Sequence, residues 1–258
     1  MTASILAART GDIATVTLSN PAKFNALNAA MWRQLRDTFH ALADDASLRC
    51  IVVRGEGAVF AAGGDVEEFH TVRATVDLAL AYHETAGEAL AAIRDCPLPV
   101  VAAILGPCVG GGLEIACACD LRIAGEGARF GAPIMKLGFS MYPGELESLL
   151  ALAGPAVIKE ILLEGRLLTA HEALTKGLLT RVVDDAQVFA EAQVAAERIA
   201  AGAPLVARAH KLWIARLRNG QPLTLEEKRA AFDFLDTDDY REGLAAFAAK
   251  RAPRFHGR

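Results

Sequence analysis

Two short, wholly apolar runs at residues 50–53 and 100–105 bracket one long helical stretch, and this order constrains the fold more than any other feature. Short apolar runs bounded by turn residues read as strands buried on both faces. Between them the spacing predicts a helix over residues 66–95, stopped by Pro97-Leu98-Pro99. Strand, long helix, strand is the pattern of a parallel α/β protein. The opening reads as a hairpin: residues 4–8 and 13–18 flank Arg9-Thr10-Gly11-Asp12, and Asn20-Pro21 ends the second strand. Asn28 is placed to cap a helix in which Met31, Leu35, Phe39 and Leu42 recur at helical spacing. Further on come a short strand near residues 121–124 and an irregular glycine-containing segment over 125–144. Thr169 with Glu172, and Thr224 with Glu227, have the capping-box spacing ahead of helices. No strand signal appears beyond about residue 187. The expected division is an α/β core over 1–190 and an all-helical region over 191–258.

With 258 residues, 53% of them hydrophobic, the chain can bury a full core without disulfides or metal. A net charge of -4 argues against a nucleic-acid partner, since no positive field gathers phosphates. The five cysteines form no C-x-x-C pair and are odd in number, so reduced, buried thiols and a cytoplasmic location are expected. Residues 1–18 carry polar side chains throughout, unlike a secretory leader. The most apolar stretch, 98–119, approaches the length of a membrane span but contains Pro99, Gly106, Pro107, three consecutive glycines and Glu114, so no membrane span is expected. His40, His70, His83, His171, His210 and His256 lack ligand spacing and read as surface or helix-face residues; no metal site is expected. Neither a phosphate-binding G-x-x-x-x-G-K-[ST] nor a G-x-S-x-G elbow is present.

Two glycine-rich turns, Ala61-Ala62-Gly63-Gly64-Asp65 and Gly110-Gly111-Gly112-Leu113-Glu114, each follow a buried strand and precede a helix. Two readings fit them. They are tight turns that seat helices on a sheet, or they aim two backbone N–H groups at one oxygen, as in an oxyanion hole. Glu114 lies among Gly, Leu, Ile, Ala and Cys, where burial raises a carboxyl pKa. It is either an acid/base for proton transfer beside a carbonyl or a first-turn glutamate favoured by the helix dipole.

The segments Asn25-Ala26-Leu27, Phe60-Ala61-Ala62-Gly63-Gly64-Asp65, Gly110-Gly111-Gly112-Leu113-Glu114-Ile115-Ala116, Ala128-Arg129-Phe130-Gly131 and Thr237-Asp238-Asp239-Tyr240-Arg241-Glu242-Gly243 occur in order along the chain. Together they resemble the enoyl-CoA hydratase/isomerase superfamily, the crotonases, over nearly the whole length. The resemblance implies an α/β spiral of ββα repeats with a C-terminal helical oligomerisation region, assembled as a homotrimer or a dimer of trimers. It implies an acyl-CoA thioester as substrate, an enolate intermediate, and no cofactor beyond CoA itself as the substrate handle. By position, Gly64 and Gly111 would supply the two N–H groups and Glu114 the acid/base. The Ala62 backbone would meet the adenine, and Lys23 would stand near the CoA phosphates.

The chain departs from the resemblance at one decisive place. Hydratases of this superfamily hold water with two glutamates, and the second belongs where this chain has Ile134. The family's glycine-rich Pro-Gly-x-Gly-Gly is replaced by Met141-Tyr142-Pro143-Gly144-Glu145, with Tyr142 where a small residue leaves room for water. Losing one carboxylate of an acid–base pair costs about 10²–10⁴ in rate. Three readings follow: Glu114 acts alone in isomerisation, decarboxylation or thioester hydrolysis; Glu145 or Glu147 replaces the missing acid; or Tyr142 donates a proton or lines the acyl pocket. Glu145 and Glu147 are expected to be exposed in a first helical turn. A non-catalytic acyl-CoA binder or trimeric scaffold is the competing class.

Overall fold

The computed structural model describes residues 2–218 and 220–258. Its organising element is a six-stranded sheet of β1 (Ser4–Thr10), β2 (Ile13–Ser19), β3 (Cys50–Gly55), then β4 (Val100–Ile104). The two remaining strands are β6 (Leu121–Gly125) and β9 (Arg181–Val183), numbered by their place along the chain, and the sheet runs β1-β2-β3-β4-β6-β9. β1 and β2 pair antiparallel as the expected hairpin, and every later pair is parallel. The central strands are buried on both faces, which is why residues 50–53 of β3 and the whole of β4 read as unbroken apolar runs.

A second, smaller sheet joins β5 (Pro107–Val109), β7 (Arg129–Gly131) and β8 (Leu168–Thr169). Parallel single-residue bridges extend this layer: Leu27 to Gly64 and Ala61 to Cys108. Thus β2, β3, β4 and β6 are each followed by a short extended piece in the second layer, and then by helical structure. The helices are α1 (Ala29–Ala43) after β2, α2 (Phe69–Val72) and α3 (Val76–Arg94) after β3, and α4 (Gly111–Ala118) after β5. The larger hydrophobic cluster lies on the side of α1, α3 and α4, around Trp32, Phe39, Phe60, Ile93 and Phe130. A smaller one lies on the opposite face beneath α7 (Val188–Ala200).

The expected single helix over 66–95 is interrupted. A 3₁₀ turn at Val66–Glu68 leads into α2, the chain leaves helical geometry at Arg73, and Thr75 caps a fresh start at α3 by accepting from the Leu78 N–H at 3.3 Å. The segment 125–144, expected to be irregular, contains β7 and 3₁₀ turns at Ile134–Leu137 and Pro143–Glu145. Asn28 caps α1 by accepting from the Met31 N–H at 2.8 Å, and both capping boxes form, at α6 (Ala170–Thr175) and α9 (Leu225–Ala230).

Beyond β9 the chain is helical, through α7, α8 (Pro204–Arg218), α9 and α10 (Asp238–Ala248). α5 (Leu146–Glu164) is bent at Gly154-Pro155. Arg49 on the edge of β3 binds the Ala200 and Phe255 carbonyls, and Lys211 on α8 pairs with Asp120 at 2.7 Å, so the helical region is tied to the core at two places. All five cysteines are free and buried. Among the described residues no helix is long and apolar enough to cross a membrane.

Candidate active site

The two glycine-rich turns meet at one cavity of about 140 Å³. Gly63 has φ +108° and Gly110 has φ +50°, conformations that a side chain disfavours, and each residue turns the chain immediately before Gly64 or Gly111. The turns touch backbone to backbone: a Cβ on Gly63 would lie 3.1 Å from the Val109 carbonyl oxygen, and one on Gly110 would lie 3.6 Å from Gly63 Cα. A Cβ on Gly111 would stand 3.6 Å from the Gly64 nitrogen, so the two amides are neighbours. Gly111 opens α4, where the first N–H groups have no partner within the helix. The Gly64 N–H has no backbone acceptor among the described residues. Gly64 and Gly111 both line the cavity with Ala62.

Glu114 sits one turn into α4, 5% exposed, with its side chain on the cavity wall. Burial pushes its carboxyl well above the ordinary carboxylate range, the negative charge of Glu145 pushes it further, and Arg73 opposes both. These surroundings favour the neutral carboxylic acid over the carboxylate.

Glu145 corrects the sequence reading. It is buried rather than exposed, because the 3₁₀ turn Pro143–Glu145 turns it inward before α5 begins. Its Oε1 lies 2.6 Å from Nδ1 of His83, and both side chains line the cavity with Glu114. Glu147 behaves as expected: it is exposed and pairs with Arg94 at 2.8 Å. His83 lies on a helix face, one of the two placements expected of it, but that face turns to the cavity and leaves its side chain only 12% exposed. The apolar stripe of α3 carries the signal for this placement: Ala79, His83, Ala86 and Leu90 follow one another at spacings of four, three and four.

Tyr142 does not line the cavity. Its ring stacks on His83 at 4.9 Å between centroids and so stands behind the Glu145–His83 pair. Ile134 does line the cavity and supplies only apolar surface there. Trp32 closes the floor and donates from Nε1 to the Tyr82 hydroxyl at 3.2 Å. Burial pushes that hydroxyl up to about 12, so it stays protonated. Lys23 lies outside the cavity lining and pairs with Asp65 and Glu67, each at 2.7 Å. Those bonds raise its pKa to about 12. Asp65 in turn holds the 3₁₀ turn after Gly64 by accepting from the Glu67 N–H. No group of three or more His, Cys, Asp or Glu side chains among the described residues is placed to hold a metal.

This arrangement can polarise an oxygen with two main-chain N–H groups and move protons with two carboxyl groups on one cavity. The enoyl-CoA hydratase/isomerase family model matches residues 8–258. A 2,3-dehydroadipyl-CoA hydratase of Escherichia coli (strain K12) is 34% identical, over 98% of this chain and 99% of its own. The chain belongs to the enoyl-CoA hydratase/isomerase family. Among solved structures, an enoyl-CoA hydratase/carnithine racemase from Magnetospirillum magneticum is similar with a TM-score of 0.96 and 49% identity, covering 98% of this chain and 96% of that one. An enoyl-CoA hydratase/isomerase family protein from Hyphomonas neptunium gives 0.94 and 38%, covering 98% of both. The ββα spiral is therefore the crotonase fold, as the sequence resemblance implied. Gly64, Gly111, Glu114 and Ile134 all line the cavity, and Glu145 reaches it from a different turn of the chain.

Proposed function

We propose that this chain adds water reversibly to an α,β-unsaturated acyl-CoA, using Glu114 and Glu145 as the acid–base pair. The observation that carries this reading is the burial of Glu145 in the cavity of Glu114, which supplies a second carboxyl group despite Ile134. The thioester oxygen accepts from the Gly64 and Gly111 N–H groups, an oxyanion hole that stabilises the enolate as it forms. Glu145, oriented by His83, takes a proton from water as the water oxygen bonds to Cβ. The double-bond electrons move towards the thioester carbonyl. Glu114, whose burial favours the protonated form, then donates its proton to Cα, and the enolate collapses to the saturated 3-hydroxyacyl thioester. Passing one proton from Glu145 back to Glu114 restores the starting state.

The substrate's CoA is the only cofactor-like group this chemistry requires, with the Ala62 backbone and Lys23 on the nucleotide side. Residues 191–258 form the oligomerisation region of a trimer or dimer of trimers. Support comes from its exposed apolar side chains, including Leu212, Ile214, Leu217, Leu244 and Phe247, the last 88% exposed. A sizing measurement that gives a monomer at micromolar concentration would remove this assignment. The five buried free thiols fit a reducing compartment such as the cytoplasm.

The test is a panel of 2-enoyl-CoA thioesters followed by loss of enoyl absorbance, with the wild type beside Glu114→Gln and Glu145→Gln. Hydration that falls in both variants supports the pair. Turnover by isomerisation, decarboxylation or thioester hydrolysis without hydration would replace it with single-acid chemistry. Binding with no turnover of any thioester would leave a non-catalytic acyl-CoA binder.

A further inference from the structure

One charged group in the cavity has no role in that chemistry. Arg73 stands where the helical run breaks between α2 and α3, and its side chain lines the cavity. Its guanidinium lies 3.6 Å over the Phe69 ring, with Phe139 at 4.8 Å and Tyr82 at 5.2 Å. Nε is buried with no hydrogen-bond partner, and among the described residues Arg73 forms no ion pair. Neither carboxyl group of the cavity pairs with it among the described residues: Glu145 is engaged by His83 at 2.6 Å, and Glu114 forms no ion pair. Contrast Arg122, whose buried guanidinium donates to the carbonyls of Leu178, Ala116, Cys119 and Asp120. A guanidinium held flat by aromatic rings presents a planar fork of donors, and such a fork matches the two oxygens of a carboxylate. An unpartnered donor in a partly dehydrated wall is costly, and a ligand oxygen would relieve that cost.

We propose that Arg73 anchors a carboxylate on the acyl group, so that the preferred substrate is a CoA thioester of a dicarboxylic acid. This rests on the reading of the cavity as an acyl-CoA site, and it adds the polarity of the acyl chain that enters there. The rings of Phe69 and Phe139 pack against the methylene stretch, and Arg73 receives the charged end.

Binding of unreactive, saturated thioesters tests this without requiring turnover. Dissociation constants are measured by calorimetry for free CoA and for pairs of equal length: butanoyl with succinyl, hexanoyl with adipoyl, and octanoyl with suberoyl-CoA. The proteins are the wild type, Arg73→Gln and Arg73→Lys. The wild type should bind at least one carboxylate-bearing member about ten- to a hundredfold more tightly than its neutral partner, the range of a charge-assisted hydrogen-bond pair. That ratio should collapse below about threefold in Arg73→Gln and recover in part in Arg73→Lys, which keeps the charge but not the fork. A wild type with no preference in any pair overturns the proposal even if a variant misfolds. Persistence of the preference in Arg73→Gln also overturns it. So does equal weakening of free CoA and every thioester, which would assign Arg73 to a CoA phosphate. If the carboxylate preference holds while no enoyl thioester is hydrated, the anchor stands and the hydratase reading falls. Hydration without any carboxylate preference gives the reverse result.

Discussion

Replacing Gly111 by alanine separates the role of its amide from its role in packing. The new Cβ would stand 2.9 Å from Cζ2 of Trp32, whereas carbon atoms rest at about 3.5–4.0 Å, so roughly 0.6 Å must be found. Trp32 cannot easily yield, because it is fully buried and donates to Tyr82. The N-terminus of α4 therefore moves, and the Gly111 N–H moves with it. Overpacking of this size costs about 1–3 kcal/mol. For a chain of this length that lowers Tm by about 2–12 °C. Removing an oxyanion donor costs about 10²–10³ in kcat, and a displacement of this size should cost about 10–100-fold. Gly112→Ala is the control, since its Cβ would lie 2.6 Å from the Ala61 carbonyl oxygen and 2.8 Å from Ala61 Cβ, a harder overlap with backbone. Stability should rank wild type, Gly111→Ala, Gly112→Ala. Loss of kcat per degree of Tm lost should be larger for Gly111→Ala. Melting by circular dichroism and kcat measured well below both midpoints provide the comparison. Gly111→Ala with kcat within threefold of wild type would refute the assignment of its N–H to the thioester oxygen.

Three further outcomes follow from the same geometry. Glu145→Gln should lower kcat by about 10²–10⁴. It should also move the pH–rate limb belonging to Glu114 to lower pH, because a negative neighbour that raises the Glu114 pKa is gone; an unmoved limb would argue that the two groups do not interact. Glu114 is protonated in the folded chain at pH values where it is ionised in the unfolded chain, so the unfolded state binds fewer protons. Stability should fall as pH rises from the ordinary carboxylate range towards the folded pKa, and Glu114→Gln should flatten that slope in denaturant titrations at a series of pH values. Arg122→Met leaves the Leu178, Cys119 and Asp120 carbonyls without their buried donor and should destabilise by about 2–4 kcal/mol, measured as a lower urea midpoint at unchanged slope.

The larger strands and α1 were legible because local rules and tertiary burial agree there: β4 and the first four residues of β3 are apolar, and Asn28 caps where capping chemistry places it. The second sheet was not legible, since β5, β7 and β8 have two or three residues each, too few for any period to show. Nor was the break at Arg73, because the apolar pattern runs on across it and only the cap at Thr75 marks the restart. At the site, strand–turn–helix grammar marked the two glycine turns and Glu114, the family resemblance singled out Gly64 and Gly111 within those turns, and all three line one cavity. Glu145 could not, since its arrival depends on how a 3₁₀ turn packs against α3, a contact between residues 62 positions apart. Reading position 134 alone finds a missing acid, whereas the fold supplies a carboxylate to the same cavity from elsewhere.

The donors at Gly64 and Gly111 belong to the peptide chain, and this has a consequence for how such a cavity can diversify. No codon change alters a main-chain amide without disturbing the turn that carries it, so this half of the site is shielded from gradual drift. Elsewhere the lining includes Arg73, Phe69, Ile134, Phe139 and Glu145, side chains brought in by three other stretches of the chain. Each can be replaced by a single substitution that leaves the main-chain amides in place. The inherited capacity is therefore written into the course of the backbone, and the identity of what is transformed is written into a handful of replaceable residues facing it.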